Sequence, residues 1–268
     1  MAQNKTEGKE RNIDIAWKAI FNKYNIDNHD FDKSPYEITA DQIKIACQNF
    51  KKTAQKEVRI LCKQDSRKSR PSVFADKGLF LLPVKNGSYK IIKGEGYIDI
   101  PEITTPLINY ESKLDFELTT SQEGDSEMQH LDFAYASSII RSFVEDTTLH
   151  LTIRGRKYTP QFSFKVRKHE INQESVQVEV DSGYEGKNNI VLVEAKNSET
   201  KDTIIRQLYY PYRKWRIHAG GKKVLALFFE KRKGLEGDEY HLWEFQFEDE
   251  NNYNSIKLKK SARYLIKP

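Results

Sequence analysis

Ile190-Val191-Leu192-Val193-Glu194-Ala195-Lys196 is an apolar run closed by an acid, a small residue and a base. Side chains of a strand alternate between two faces, so Glu194 and Lys196 share one face while Val193 and Ala195 take the other. A second alternating run, Ser175 to Asp181, ends in another acid, and a glycine-containing turn separates the two. If Asp181 is delivered by the neighbouring strand, two carboxylates and an amine meet at one place. Carboxylate oxygens suit a hard cation such as Mg2+, and the amine is then left beside a water or a phosphate.

Outward from this run, the pattern reads as a sheet with helices. A helix is expected from about Asp202 to Ile217, kinked or broken by Pro211. Within it, Arg206 to Arg216 carries four cations, four aromatics and no acid. Leu208, Tyr212 and Trp215 read better as packing residues than as base-stacking platforms. Upstream, Ser126 and Gln129 have the spacing of a capping box, and Leu131, Ala134, Tyr135, Ile139 and Phe143 predict a helix to about Glu145. Strands are expected at 149–154, 162–167, 175–181, 190–196, 224–229, 240–247 and 256–266. Strand, strand, strand, helix, strand is the order of an α/β (α+β) protein with a mixed central sheet flanked by helices.

The first third has its own pattern. Ile13, Trp17, Ile20, Phe21 and Tyr24 predict a helix from Asn12 to about Lys23. Thr39 and Gln42 form a capping box for a second, ending near Lys52. Strands are expected at 57–63, 79–84, 88–93 and 97–100, with Asn86-Gly87 as a hairpin turn. The stretch from Pro101 to Ser112 interrupts regular structure, which divides the chain into an N-terminal α/β region at 1–110 and a catalytic domain at 111–268.

Composition narrows the classes. A chain of 268 residues with 31% charged and 12% aromatic residues can bury a core of its own. No apolar stretch approaches a membrane span, and the polar start has no signal-peptide core. Cys47, Cys62 and six scattered histidines lack zinc-site spacing, so any metal is expected to be held by oxygen. The net charge of +5 says little about partners, but the clusters at Lys63 to Arg70, Arg154 to Lys157 and Arg206 to Arg216 say more.

The stretches VEVDSGYEG, IVLVEAK and RQLYYPYRKWR, from Gln177 to Arg216, resemble the PD-(D/E)xK nuclease superfamily, and within it a type II restriction endonuclease. A looser likeness extends through EVRILCKQD and LLPVKNGSYKI. The resemblance implies a restriction-endonuclease-like fold with an N-terminal recognition region. Asp181 and Glu194 match the metal-binding acids and Lys196 the lysine of the signature. Val180 stands where the motif name has proline. Exonuclease-like members carry a glutamine followed four residues later by tyrosine. Gln207 fits, but position 211 is proline, between Tyr210 and Tyr212.

The implied reaction is magnesium-dependent hydrolysis of a DNA phosphodiester. Asp181, Glu194 and the Ala195 carbonyl would hold the metal, with Glu179 or Glu185 as an auxiliary ligand or simply a solvated acid. Arg206, Gln207 and Arg213 are phosphate candidates. Arg154 and Arg156 flank a glycine that lets a backbone approach. Arg67, Lys68 and Arg70 have the chemistry to read guanine, or form a plain solvated loop. The implied setting is a cytoplasmic prokaryotic homodimer on double-stranded DNA, with a cognate methyltransferase protecting the host. A structure-specific or repair nuclease of the same fold, or an inactive DNA-binding protein, is the alternative.

Overall fold

The computed structural model describes residues 10–122 and 124–267. The chain forms two compact units, one ending at Gly96 and the other beginning at Tyr97. The division precedes the expected 110/111 boundary because the prolines after Ile100 interrupt a segment that already pairs within the second unit.

The first unit holds α1 (Asn12–Lys23), β1 (Tyr36–Thr39), α2 (Ala40–Cys47), α3 (Thr53–Lys56), α4 (Val58–Leu61), α5 (Ser72–Asp76), β2 (Leu79–Lys85) and β3 (Ser88–Lys93). The strands form an antiparallel sheet in the order β1-β3-β2. The apolar stripe of α1 is buried, with Trp17 edge-on to Phe74 at 4.7 Å and its indole N–H donating to the Leu61 carbonyl at 3.0 Å. Both halves of the Thr39–Gln42 capping box form, but α2 stops at Cys47. Residues 57–63 are not a strand. Val58 and Leu61 are buried three apart while Ile60 is exposed, which is the burial period of a helix.

The second unit holds β4 (Tyr97–Asp99), β5 (Ile108–Glu111), α6 (Glu127–Ala136), α7 (Ile139–Val144), β6 (His150–Tyr158), β7 (Phe162–Val166), β8 (His169–Gln173), β9 (Gln177–Glu185), β10 (Asn189–Lys196), β11 (Asp202–Ile204), α8 (Arg206–Ile217), β12 (Lys223–Lys233), β13 (Asp238–Phe247) and β14 (Ile256–Lys267). Seven strands form one mixed sheet in the order β5-β14-β13-β12-β10-β9-β6. β10 and β12 are parallel, so α8 is the crossover between them. Val191, Val193 and Ala195 share a core with Leu131, Ala134, Ile139, Ile140 and Phe143. Ile190 and Leu192 face the other way, toward Trp215 and Ala219. The alternation of β10 thus sets Glu194 and Lys196 on the α8 face.

Three expectations need correction. The helix after Ser126 is two helices, broken where Ser138 takes the left-handed conformation (φ 70°). The break lets Ile139 and Ile140, adjacent in sequence, both reach the core that Leu131 and Ala134 enter from α6. Residues 202–204 are a strand paired with Tyr97–Asp99, and the helix begins only at Arg206. Pro211 does not end it: α8 runs through to Ile217, although the ring removes the N–H that would bond the Gln207 carbonyl.

Two buried histidines give the fold a pH dependence. His130 and His241 are almost fully buried, and burial, helped by Lys231 and by Arg232 respectively, holds each ring below the ordinary histidine value. A depressed folded pKa means the neutral ring is the folded form. The stability it supports is present above the unfolded value of about 6.5 and is lost as pH falls below it. Urea unfolding is therefore expected to show lower stability at pH 5.5 than at 7.5, with a shallower difference in a His130→Gln, His241→Gln double variant. An equal slope in both proteins rules this cause out.

Candidate active site

β9 and β10 form a hairpin paired from Glu185–Ile190 to Ser182–Val193. At the next position the ladder opens. Asp181 lies inside β9, not at its end as the sequence pattern implied, and its Oδ2 accepts the Ala195 N–H at 2.8 Å. On its other side, the β6–β9 register shifts at Ile153/Gly155, so Asp181 is released from regular pairing there too. Such irregularities re-aim a side chain.

Glu194, 8% exposed, is the most buried charged group of the site. Its Oε1 accepts from Lys196 Nζ at 2.5 Å and from Gln207 Nε2 at 2.6 Å. Lys196 Nζ also donates to the Ala195 carbonyl at 2.9 Å. The ammonium thus sits against two of the three oxygen donors expected to hold a metal. Gln207 is oriented in turn by Thr203, whose hydroxyl donates to Oε1 at 2.8 Å. With Oε1 so occupied, the amide nitrogen is the end turned toward Glu194.

Electrostatics follow from this enclosure. Burial pushes the Asp181 carboxyl above the ordinary range, against the pull of the Ala195 N–H and Lys196. Burial works against the charge on Lys196, but Glu194 and Asp181 outweigh it and hold the ammonium above the ordinary lysine value. Burial alone would drive such groups toward neutrality, and close opposite charges reverse that for the lysine.

The donor set suits a hard cation: two carboxylates and a main-chain carbonyl, all oxygen. Among the described residues no three His, Cys, Asp or Glu side chains converge into a metal-holding group, and a cation held here would take the carbonyl as its third protein ligand.

The other sequence candidates are distributed differently. Glu179 is exposed and accepts from Arg156 Nε at 3.2 Å. Glu185 is at the closed end of the hairpin, in an ion pair with Lys222, about 13 Å along β9 from Asp181 at ~3.3 Å per residue. It is therefore removed from the site. Arg154 is ion-paired with Asp132 and donates to Ser182 Oγ at 3.2 Å. Arg213 donates to the Glu250 carbonyl at 2.6 Å and the Tyr209 hydroxyl at 2.8 Å, and its guanidinium lies over Phe162. It braces α8. Arg206 is half-buried at the start of α8. Leu208 is buried and Tyr212 packs on Phe247 at 4.9 Å, in line with their reading as packing residues. In the first unit, Arg67 pairs with Glu95 at 3.3 Å and Arg70 donates to the Leu79 carbonyl. The Lys68 and Arg70 carbonyls are both held by Arg11, which fixes this loop from within.

Thr203 was not legible as a site residue, because 202–204 read as helix. A Thr-Ile-Ile run of β-branched residues is the signal for a strand there.

These features define a two-unit protein whose second unit is α+β, built on a large mixed sheet with a part-buried acid, acid and lysine cluster where two strands part. Residues 92–265 match the model of the Domain of unknown function DUF6997, and the chain belongs to that family. Residues 14–91 match a second one, DUF6996. No curated protein and no solved structure matches the chain. Among the described residues no helix is long and apolar enough to cross a membrane.

Proposed function

We propose that the chain is a magnesium-dependent DNA endonuclease of the type II restriction kind, hydrolysing phosphodiester bonds at a defined sequence. The observation that supports this best is the convergence of Asp181, Glu194 and Lys196 where β9 and β10 part, with Gln207, itself oriented by Thr203, donating to Glu194. Bound Mg2+ supplies Lewis acidity toward the phosphoryl oxygens and lowers the pKa of water. Asp181, Glu194 and the Ala195 carbonyl would hold it. Lys196 positions the attacking water or shares the charge that grows on the phosphate. Gln207 keeps one Glu194 oxygen turned inward.

Digestion of a sequenced plasmid with Mg2+, followed by sequencing of the ends, tests this reading. Discrete bands abolished by EDTA are expected. A smear indicates a nuclease without sequence preference, and intact plasmid removes the enzyme altogether. A palindromic site implies a two-fold homodimer, to be seen by sizing with and without DNA.

The brace behind Glu194 carries its own expected result. Groups that orient a metal ligand are worth about 10–100-fold in metal affinity or activity. Gln207→Leu should fall in that range, and Thr203→Val should lower Mn2+ affinity in the same direction, with Thr203→Ser restoring it. Calorimetric titration that finds Thr203→Val equal to wild type would break the relay.

A further inference from the structure

Most cations singled out in the sequence are engaged by their own unit, but three others, on the β7–β8 hairpin, are not. Its two-residue turn is Arg167-Lys168, and Lys165 precedes it on β7. All three side chains are exposed, and none has an ion pair or side-chain hydrogen bond among the described residues. Glu170 stands opposite Lys165 across the ladder, and Asp249 and Glu250 precede the Asn251 carbonyl that receives the Lys165 N–H.

The hairpin is firmly anchored. Phe162, Phe164 and Val166 are buried on one face, with Phe164 stacked on Tyr253 at 5.9 Å and Phe162 edge-on to Tyr210 at 5.7 Å. The Lys165 N–H donates to the Asn251 carbonyl at 2.7 Å. The opposite face carries Ser163, Lys165, Glu170 and Asn172 into solvent, with Arg167 and Lys168 exposed at the turn. A hairpin held this way presents its cations at fixed positions.

The turn is also strained. Arg167 has φ 53°, the left-handed conformation that glycine prefers in tight hairpin turns and that costs other residues about 1–2 kcal/mol. Its exposed side chain does no packing that would offset this. Strain kept where it serves no packing points to a use for the side chain outside the fold.

The hairpin joins β6 to β9 at the Gln177 end of β9, four residues or about 13 Å along the strand from Asp181 at ~3.3 Å per residue, and at the opposite end from the Glu185–Asn189 turn. Two more cations flank its base: Lys157 on β6, and Lys214 on α8, which donates to the Tyr158 carbonyl at 2.8 Å. Burial, and then the charge of Lys157, lowers the pKa of Lys214.

We propose that the β7–β8 hairpin is a phosphate-contacting finger for duplex DNA, with Lys165, Arg167 and Lys168 neutralising backbone phosphates outside the Asp181–Glu194–Lys196 cluster. The choice of duplex DNA rests on the nuclease reading above. Phosphate contacts of this kind position the duplex and carry no sequence information of their own.

The test is fluorescence anisotropy of a labelled DNA duplex with the full chain in EDTA, titrated with NaCl. The Lys165→Ser, Arg167→Gly, Lys168→Ser triple variant should bind at least about tenfold more weakly near 0.1 M salt, with a salt slope lower by about 2–3. Arg167→Gly alone should lower the slope by about one while its melting temperature stays equal or rises, since glycine relieves the turn. Unchanged affinity and slope in the triple variant overturn the proposal, as does a wild-type chain that binds no duplex or that prefers single-stranded RNA. A melting temperature lowered by Arg167→Gly overturns the strain argument beneath it. Plasmid cleavage by the wild type with Mg2+ separates the two readings. If the hairpin variants lose binding but the wild type never cuts, the nuclease reading fails and the finger stands. If the wild type cuts and the triple variant binds normally, the finger alone fails.

Discussion

Lys196→Ala is expected to bind Mg2+ at least as tightly as the wild-type chain while cutting DNA about a hundred to a thousand times more slowly. The two halves of this result have different causes. In the folded chain the ammonium donates to Glu194 Oε1 and to the Ala195 carbonyl, two donors that a metal would share. Removing it takes away a competing cation, so affinity has no reason to fall. The loss in rate comes from the chemical step, where a positive charge beside the scissile phosphate stabilises the transition state more than the ground state. Glu194→Gln should behave oppositely, losing affinity and rate together, because it removes a ligand charge. Metal titration beside single-turnover cleavage separates the cases. A Lys196→Ala protein that loses metal affinity in step with rate would mean that the lysine only organises Glu194.

The part of this site that was legible in the sequence is the part encoded by alternation. β10 announces itself by an apolar run with an acid and a base two residues apart, and that spacing alone puts Glu194 and Lys196 on one face. Asp181 was readable as a partner because its strand also alternates, although the pattern stopped where the ladder opens and hid the continuation to Glu185. Thr203 was out of reach for another reason. It lies on a three-residue strand that exists because Tyr97–Asp99, far away in sequence, pairs with it. The surroundings of the cations were not legible either. The sequence shows that Arg154 and Arg213 are charged, but not that Asp132, a tyrosine hydroxyl and main-chain carbonyls already engage them. The β7–β8 hairpin went unread as a unit because its second strand, His169–Gln173, has little apolar content beyond Ile171.

Arg232→Met is expected to destabilise the protein by about 3–5 kcal/mol at neutral pH, the loss found when one partner of a buried ion pair is removed. Glu230 is 0% exposed, and Arg232 donates to its Oε2 at 2.7 Å while also reaching Glu102 at 2.9 Å. Without the guanidinium, a carboxylate is left in the interior with the Thr200 N–H at 2.8 Å as its nearest remaining donor. Burial already raises the Glu230 pKa even with Arg232 and Thr200 opposing it. A raised folded pKa contributes stability at low pH that is lost as pH rises through it, and removing Arg232 raises it further. The deficit of Arg232→Met should therefore shrink as pH falls toward the ordinary glutamate range. Adding Glu230→Gln should recover most of the loss at neutral pH, since the charge is gone. Urea unfolding at two pH values reads both effects, and a neutral-pH loss below about 1 kcal/mol would show the pair to be worth no more than a surface contact. The consequence extends to the site. Glu230 stands in register with Lys196 across β10 and β12, and its bond to Thr200 fixes the loop that leads from Lys196 to Thr203. Arg232→Met should thus weaken metal binding as Thr203→Val does, from a residue that touches none of the ligands.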